Sequence, residues 1–323
     1  MRLLITGGAG YVGSHLTLMA ERAGHEVWIY DNFSNSSPQM PFLLGGLLGR
    51  NKVHYVQGDV RDHALLRQTM YIQKTDVVLH LAAKKYADES VELPLDYYGT
   101  NVAGTISVLT AMRNSEVSQL VFSSSAAVYG KQLFTPIDEQ SPCYPDSPYG
   151  WSKLMTERII RHSGINATCL RYFNPIGVSP GLTPPDDPSL MSVILSVASG
   201  RRAHMSVFGD DWPTRDGTAI RDFVHVEDVA AAHLSFLEKD GFDIFNVGTG
   251  RGVTVGELIA LAEQEFGHGI PREVVGRRGG DIGESVADVS LIQRVTGWKA
   301  KRNLHDMVRS TVVAESLRLS SER

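Results

Sequence analysis

Residues 2–30 read as strand, glycine turn, helix and strand, and no other stretch of the chain limits its fold so tightly. The apolar run 2–6 ends in Thr6-Gly-Gly-Ala-Gly-Tyr-Val-Gly13, which sets Gly7, Gly10 and Gly13 between a buried strand and a helix over 11–23. A second strand follows at 26–30, completing a βαβ unit. Glycines let a backbone come close to a pyrophosphate, and the helix start offers N–H groups and the positive end of a dipole. The same triplet also suits a turn that only packs a helix on a sheet. Asp31 weighs against that reading: it ends the second strand about 20 residues on, where a carboxylate accepts ribose hydroxyls and repels a 2′-phosphate. The expected cofactor is NAD rather than NADP; the alternative for Asp31 is a cap on the next loop.

Further apolar runs at 53–56, 76–80, 119–123 and 168–172 are separated by segments long enough for crossover helices, which predicts a parallel, doubly wound α/β sheet. Pro175, Pro180, Pro184, Pro185 and Pro188 then break the pattern, and a lobe boundary falls there. The strand-like 223–226, helix-like 227–238 and strand 242–247 read as a return. The expected domains are 1–174 with about 223–248, and a smaller second lobe of 175–222 with 249–323. Chain length, 323 residues, suits two such lobes.

The 31 basic residues are outnumbered by 36 acidic ones, so the charge gives no footprint for nucleic acid and favours a small-molecule partner. Cys143 and Cys169 have no metal-ligand spacing and form no disulfide framework; no metal site is expected, and a reducing cytoplasm is. The start of the chain lacks the pattern of a secretory leader, and no apolar stretch is long enough to span a membrane.

Tyr149 and Lys153 lie four residues apart on one face of a helix entered at Pro148. A free tyrosine titrates at about 10; a lysine cation and a nicotinamide ring beside it would hold the phenolate nearer neutrality, making Tyr149 a general base. The pair alone also fits an ordinary exposed helix. Ser123-Ser-Ser125 adds weight: it ends a strand on the carboxyl edge where open α/β sheets bind ligands, and Ser125 is placed to bond a reacting hydroxyl.

With these pieces in order the chain resembles the extended short-chain dehydrogenase/reductase family and, within it, the UDP-glucose 4-epimerases. The likeness runs nearly end to end through Asp31-Asn32, Gly58-Asp59-Val60, His80-Leu-Ala82, Ser123 to Gly130, Tyr149 to Lys153 and Leu170 to Pro175. It continues in Val207-Phe-Gly209, Arg221-Asp222, Phe245 to Gly248 and Arg278-Gly-Gly-Asp281. The resemblance implies a Rossmann-type sheet with a smaller C-terminal α/β substrate lobe, tightly held NAD, and C4 epimerisation of a UDP-hexose through a transient 4-keto sugar. It implies Tyr149 as base, Ser125 as hydroxyl partner and Lys153 as ribose clamp. It puts Gly7, Gly10, Tyr11, Val12, Gly13, Asp31, Asn32, Ser34, Asn35, Ser36, Asp59, Val60, Leu81, Ala82, Ala83, Lys85, Ser123 and Phe173 around the cofactor. Lys85, Asn174, Ser189, Leu190, Val207, Phe208, Arg221, Phe223, Arg278, Asp281 and Ser285 fall around the sugar nucleotide, with the two arginines on its pyrophosphate.

Ser189, Phe223, Gly279 and Ala83 depart from the better-known epimerases. Ser285 holds the place that resembles the family's pocket gate, where a tyrosine excludes N-acetylated sugars and a small residue admits them; acceptance of UDP-N-acetylhexosamines is therefore expected. A nucleotide-sugar 4,6-dehydratase is the nearest rival, but Ala126 and Ala127 stand where that family resembles an Asp-Glu pair. An epimerase of a different nucleotide sugar and a non-catalytic NAD-sensing scaffold remain as alternatives. Helices near 95–112 and 148–162 carry apolar residues on more than one face, and the family's four-helix contact makes a homodimer the expectation.

Overall fold

The computed structural model describes residues 1–321. They fall into two compact units: Met1–Lys131 with Glu139–Tyr172 and Ala230–Asn246, and Gln132–Asp138 with Phe173–Val229 and the chain from Val247 on. In chain order the strands are β1 (Arg2–Thr6), β2 (Glu26–Asp31), β3 (His54–Gln57), β4 (Val77–His80), β5 (Gln119–Ser125), β6 (Asn166–Tyr172) and β7 (Asn174–Ile176). They continue with β8 (Met205–Phe208), β9 (Ile220–His225), β10 (Phe242–Val247), β11 (Gly252–Thr254), β12 (Arg272–Val275) and β13 (Glu284–Ser285).

The first unit is built on a seven-stranded sheet in the order β10-β6-β5-β4-β1-β2-β3. Its β3-β2-β1-β4-β5-β6 portion is the doubly wound Rossmann order, with β10 added at the far side. The pairings from β3 through β6 are all parallel. Such a sheet is covered on both faces, which is why β1 and β4 are almost unbroken apolar runs and Leu4, Ile5, Val78 and Leu79 are fully buried. Thr6 is in register with Tyr30 and His80, and Ser125 with Tyr172. The carboxyl ends of these strands thus share one edge, where open α/β sheets take ligands. The strand expected at 119–123 runs on to Ser125, because Ser124 and Ser125 keep pairing with β6.

Two expectations shift. The helix foreseen over 95–112 is interrupted: Pro94–Tyr97 is followed by a π-helical turn, Tyr98–Ala103, before Gly104–Asn114 resumes. Residues 223–226, expected to rejoin the first lobe, lie in the second unit, 223–225 ending β9 and Val226 opening the next helix. There β9 pairs in parallel with β7 and β13 and antiparallel with β11. The return begins only within the helix Val226–Leu234, at Ala230.

The second unit adds a parallel pair, β8 with β12, and a core in which Ile176, Met191, Ile194, Phe223, Leu258 and Met307 pack together. Among the described residues no helix is long and apolar enough to cross a membrane, and no cluster of metal-ligating side chains occurs.

Candidate active site

The glycine turn does two different jobs. Gly7 has φ +71°, and a Cβ there would come within 2.7 Å of the Ala82 backbone nitrogen. At Gly13 a Cβ would stand 2.1 Å from the Gly7 carbonyl oxygen. These two positions let the turn, the helix Tyr11–Arg22 and the segment after β4 close on one another. Gly10 differs: it is the helix N-cap, supplies no capping side chain, and a Cβ there would meet only the Gly7 oxygen at 3.3 Å. The first helical turn, with Tyr11, Val12 and Gly13, thus lacks a side-chain cap. The donor set and the bare backbone fit the pyrophosphate of a dinucleotide.

Asp31 is nearly buried and already engaged. Its Oδ2 accepts the Ala9 N–H at 3.0 Å, and its Oδ1 accepts Phe33 N–H at 2.9 Å and Ser36 Oγ at 3.0 Å. A carboxylate accepts roughly four hydrogen bonds. As placed here it has room for one further donor, not the two ribose hydroxyls expected, and the loop-capping alternative is also realised. Asn32 and Asp59 meet beside it: Asn32 Nδ2 donates to Asp59 at 3.1 Å, and Arg61 donates to both Asp59 oxygens. The Arg61 guanidinium holds the Asp59 carboxyl well below the usual range. Ser34 and Asn35 stand exposed on the same loop, Val60 is packed against the core, and Leu81 N–H donates to the Thr6 carbonyl. Ala82 and Ala83 follow, and Lys85 carries its ammonium over the Tyr11 and Tyr86 rings.

The helix Pro148–Ser163 starts cleanly because Ser147 Oγ caps Gly150 N–H and Pro148 occupies its first turn. Burial pushes the Tyr149 phenol up, and the neighbouring Ser125 side chain opposes that rise. Ser125 Oγ also accepts the Ala127 N–H at 3.1 Å, which fixes its position at the strand end. Lys153 is 4% exposed, donates from Nζ to the Ser123 carbonyl at 2.7 Å, and lies over the Phe122 ring. Burial pushes its ammonium down to about 7, against an opposing pull from Glu157. The expected tuning of Tyr149 by Lys153 is therefore not what this geometry displays: the ammonium is turned to a main-chain carbonyl, and burial and Ser125 are what act on the phenol.

Several further residues support this edge. Asn101, in the π-helical turn, donates to the Lys84 carbonyl and to Ser152 Oγ and accepts the Lys84 N–H, tying the segment before Lys85 to the helix of Tyr149. Irregular turns of this kind often mark functional sites. His80 bridges Thr6 and Thr105, and burial pushes it down to about 3, so it stays neutral. Ser123 Oγ pairs with His233 at 2.9 Å. Glu157 binds Arg171 through both oxygens and accepts Ser124 Oγ at 2.5 Å, all buried. Outside the motifs of His80 and Ser123, only Asn101 carried a signal in the sequence, as a polar residue inside an apolar helical pattern.

The second unit gathers another set. Ser285 pairs in register with Arg221, whose Nη1 donates to the Ile220 and Ile282 carbonyls. Burial lowers the pKa of this arginine while Asp281 raises it. Arg278 stacks over Phe208 at 3.7 Å. Asn174 donates to the Asp222 carbonyl, and Ser189 stands just before the helix Leu190–Ala198 without capping it, its Oγ donating to Ser192 Oγ. Phe173, Val207 and Phe223 are each at most 6% exposed, and Val207 and Phe223 pack in the apolar core of the second unit. Asp222, unassigned from the sequence, accepts backbone N–H groups of Thr249, Gly250 and Ala287.

A model of the NAD dependent epimerase/dehydratase family matches residues 3–248. The UDP-glucose 4-epimerase of Yersinia enterocolitica is 41% identical over 321 residues, 95% of each chain. A crystal structure of UDP-glucose 4-epimerase from Stenotrophomonas maltophila with bound NAD and formylated UDP-arabinopyranose superposes with a TM-score of 0.95, at 39% identity over 99% of both chains. The enzyme from Bifidobacterium longum in complex with NAD+ and UDP gives 0.94 at 35% identity, again over 99% of each.

Proposed function

The chain belongs to the NAD dependent epimerase/dehydratase family, and from that premise we propose that it inverts C4 of a UDP-hexose, using NAD held along the edge of the first unit. One observation carries the reading: Lys153 Nζ donates to the Ser123 carbonyl at 2.7 Å, which ties the helix that bears Tyr149 to the end of β5 that bears Ser125, on the same sheet edge as the bare-backbone turn of Gly10. Full-length likeness to UDP-glucose 4-epimerases supports the substrate class.

Tyr149 takes the proton of the C4 hydroxyl and later returns it, and Ser125 bonds the same hydroxyl to orient it. When bound, NAD would supply a reversible hydride acceptor at C4, so that no net oxidation results. Lys153 holds the ribose next to the nicotinamide. Gly7, Gly10 and Gly13 hold the pyrophosphate of the cofactor, with Asp31 at its adenosine ribose. In the second unit, read as the nucleotide-sugar lobe, Arg221 and Arg278 hold the sugar nucleotide's pyrophosphate, Phe208 packs on its base and Asp281 reaches its ribose. The small Ser285 admits N-acetylated sugars. Ala126 and Ala127 give no carboxyl for the elimination a 4,6-dehydratase performs.

Leu95 at 81% exposure, with Ile106, Trp151 and Met155 also exposed, supports a homodimer. The free thiols of Cys143 and Cys169 are in keeping with a reducing cytoplasm.

The deciding experiment incubates purified protein, without added cofactor, with UDP-glucose, UDP-galactose, UDP-GlcNAc and UDP-GalNAc and reads the products by NMR. Interconversion of C4 epimers that Tyr149→Phe loses is the expected result. No interconversion of any pair, or equal turnover by the variant, overturns the reading.

A further inference from the structure

Behind the sheet edge the first unit holds a cavity of about 430 Å³ that none of the roles above uses. The helix Pro148–Ser163 contributes Arg158 and Arg161 to its wall, one turn apart, and β6 contributes Arg171. Arg171 is 3% exposed; Nε and Nη2 are bound to Glu157, but Nη1 has no hydrogen-bond partner. A buried guanidinium N–H left without an acceptor is costly, and such an orphan asks for an explanation.

The other two arginines are also uncommitted. Arg158 and Arg161 make no hydrogen bond or ion pair among the described residues, and Arg161 lies over the Phe242 ring at 5.6 Å. Two carboxylates line the same cavity. Glu157 is neutralised by Arg171, and Glu139 accepts the Asn246 N–H at 2.8 Å, so positive charge is left in excess.

We propose that this cavity binds a phosphate monoester of sugar-phosphate size, its phosphate held by Arg158, Arg161 and Arg171 Nη1. Guanidinium forks from two directions present more donors than a carboxylate's two oxygens use, and they match the three terminal oxygens of a phosphate monoester. Phe242, Ile244 and Leu154 give an apolar wall for the body of the ligand, and the volume falls within the range of small-ligand sites. The site is also joined to the proposed catalytic edge: Glu157 accepts from Ser124, whose neighbour Ser123 holds Lys153 Nζ. An acceptor at Arg171 Nη1 therefore touches the ion pair that backs the helix of Tyr149.

The test titrates the purified full chain with glucose 6-phosphate and, separately, with inorganic phosphate. Calorimetry is run at constant ionic strength with UDP and NAD at saturating concentration, so that other phosphate sites are filled. Saturable binding of glucose 6-phosphate is expected, at least about threefold tighter than inorganic phosphate and weakened at least about tenfold in Arg158→Ala/Arg161→Ala, both exposed positions. Circular dichroism checks that this variant folds. Absence of saturable binding, or equal binding by the variant, overturns the site; inorganic phosphate binding as tightly as the ester overturns the ligand assignment. Because the readout is binding, failure here leaves the epimerase reading untouched, and failure of that reading leaves this one untouched.

Discussion

Lys153 Nζ donates to the main-chain carbonyl of Ser123 at 2.7 Å, joining the helix that bears Tyr149 to the strand that ends in Ser125. The ammonium sits 4% exposed, and burial pushes it from its ordinary range down to about 7. Between about 7 and 10.5 the unfolded chain therefore keeps a proton that the folded one releases. Unfolding free energy then rises with pH across that window and falls as the pH drops through 7. Comparing urea unfolding of the wild type with Lys153→Met from pH 7 to 8.5 isolates this group. The wild type should gain up to about 1.4 kcal/mol per pH unit relative to the variant; parallel stability curves would show that the lysine keeps its charge in the fold.

Ser125 acts on the phenol in the opposite sense to burial. Its side chain lowers the Tyr149 pKa, which desolvation raises. Removing it with Ser125→Ala should move the acid limb of the kcat profile to higher pH, because more of the base is protonated at any given pH. At pH 7 kcat should fall roughly tenfold or more, the loss of about one hydrogen bond to a charged group. A lowered kcat with an unmoved limb would confine Ser125 to orienting the substrate.

Gly13→Ala tests the close-packing role in the turn. The added Cβ would lie 2.1 Å from the Gly7 oxygen and 2.7 Å from Gly8 Cα, both backbone atoms that move only if the turn moves. Purified variant should carry less NAD and bind it at least about tenfold more weakly, a shift of about 1.4 kcal/mol or more. Gly46→Ala is the control: it sits in the helix Met40–Leu47 with open space around its Cβ position, and should stabilise by up to about 1 kcal/mol. Equal NAD content in the wild type and Gly13→Ala would mean that the turn yields without cost.

The βαβ unit was legible because its signals are local. Apolar strands, glycine turn and Asp31 lie within 30 residues, and backbone sterics force the triplet whatever surrounds it. The Tyr149 and Lys153 spacing was legible for the same reason, as helical periodicity. What stayed hidden depends on where side chains end. Nothing in the sequence says that Lys153 turns to Ser123, that Asp31 spends its lone pairs on Ala9, Phe33 and Ser36, or that β9 pairs with β7 and β13. Phe223 shows the limit from the other side: the resemblance put it around the sugar nucleotide, and only long-range packing shows that it also belongs to the core of the second unit.

The Glu157–Arg171 pair is fully buried, and its partners sit on consecutive elements, the helix Pro148–Ser163 and β6. Burying two charges is costly, and the pair's mutual attraction largely offsets that cost. Glu157→Gln should cost about 3–5 kcal/mol in urea unfolding, because it leaves an uncompensated guanidinium inside. Glu157→Leu/Arg171→Met should cost less than either single change. If the double variant is as unstable as the sum of the singles, the pair does more for the fold than balance its own charges.

Ser285 bears on which sugars are turned over. It lies half-buried on β13, in register with Arg221 on β9. In-register neighbours on parallel strands project to the same face, so the two side chains stand side by side. A tyrosine there adds an aromatic ring next to the arginine proposed to hold the pyrophosphate, taking volume from the proposed sugar site. Rejecting a larger ligand by a steric clash gives strong discrimination, whereas a hydrophobic pocket gains little from one extra methylene. Ser285→Tyr should therefore lower kcat/KM for UDP-GlcNAc by roughly 100-fold, about 2.7 kcal/mol, and that for UDP-glucose by no more than about threefold. Both rates come from the same NMR assay, so loss of fold or cofactor would depress the two together. Equal kcat/KM for UDP-GlcNAc in the wild type and the variant would remove Ser285 from the pocket wall and leave the sugar choice to other residues of the second unit.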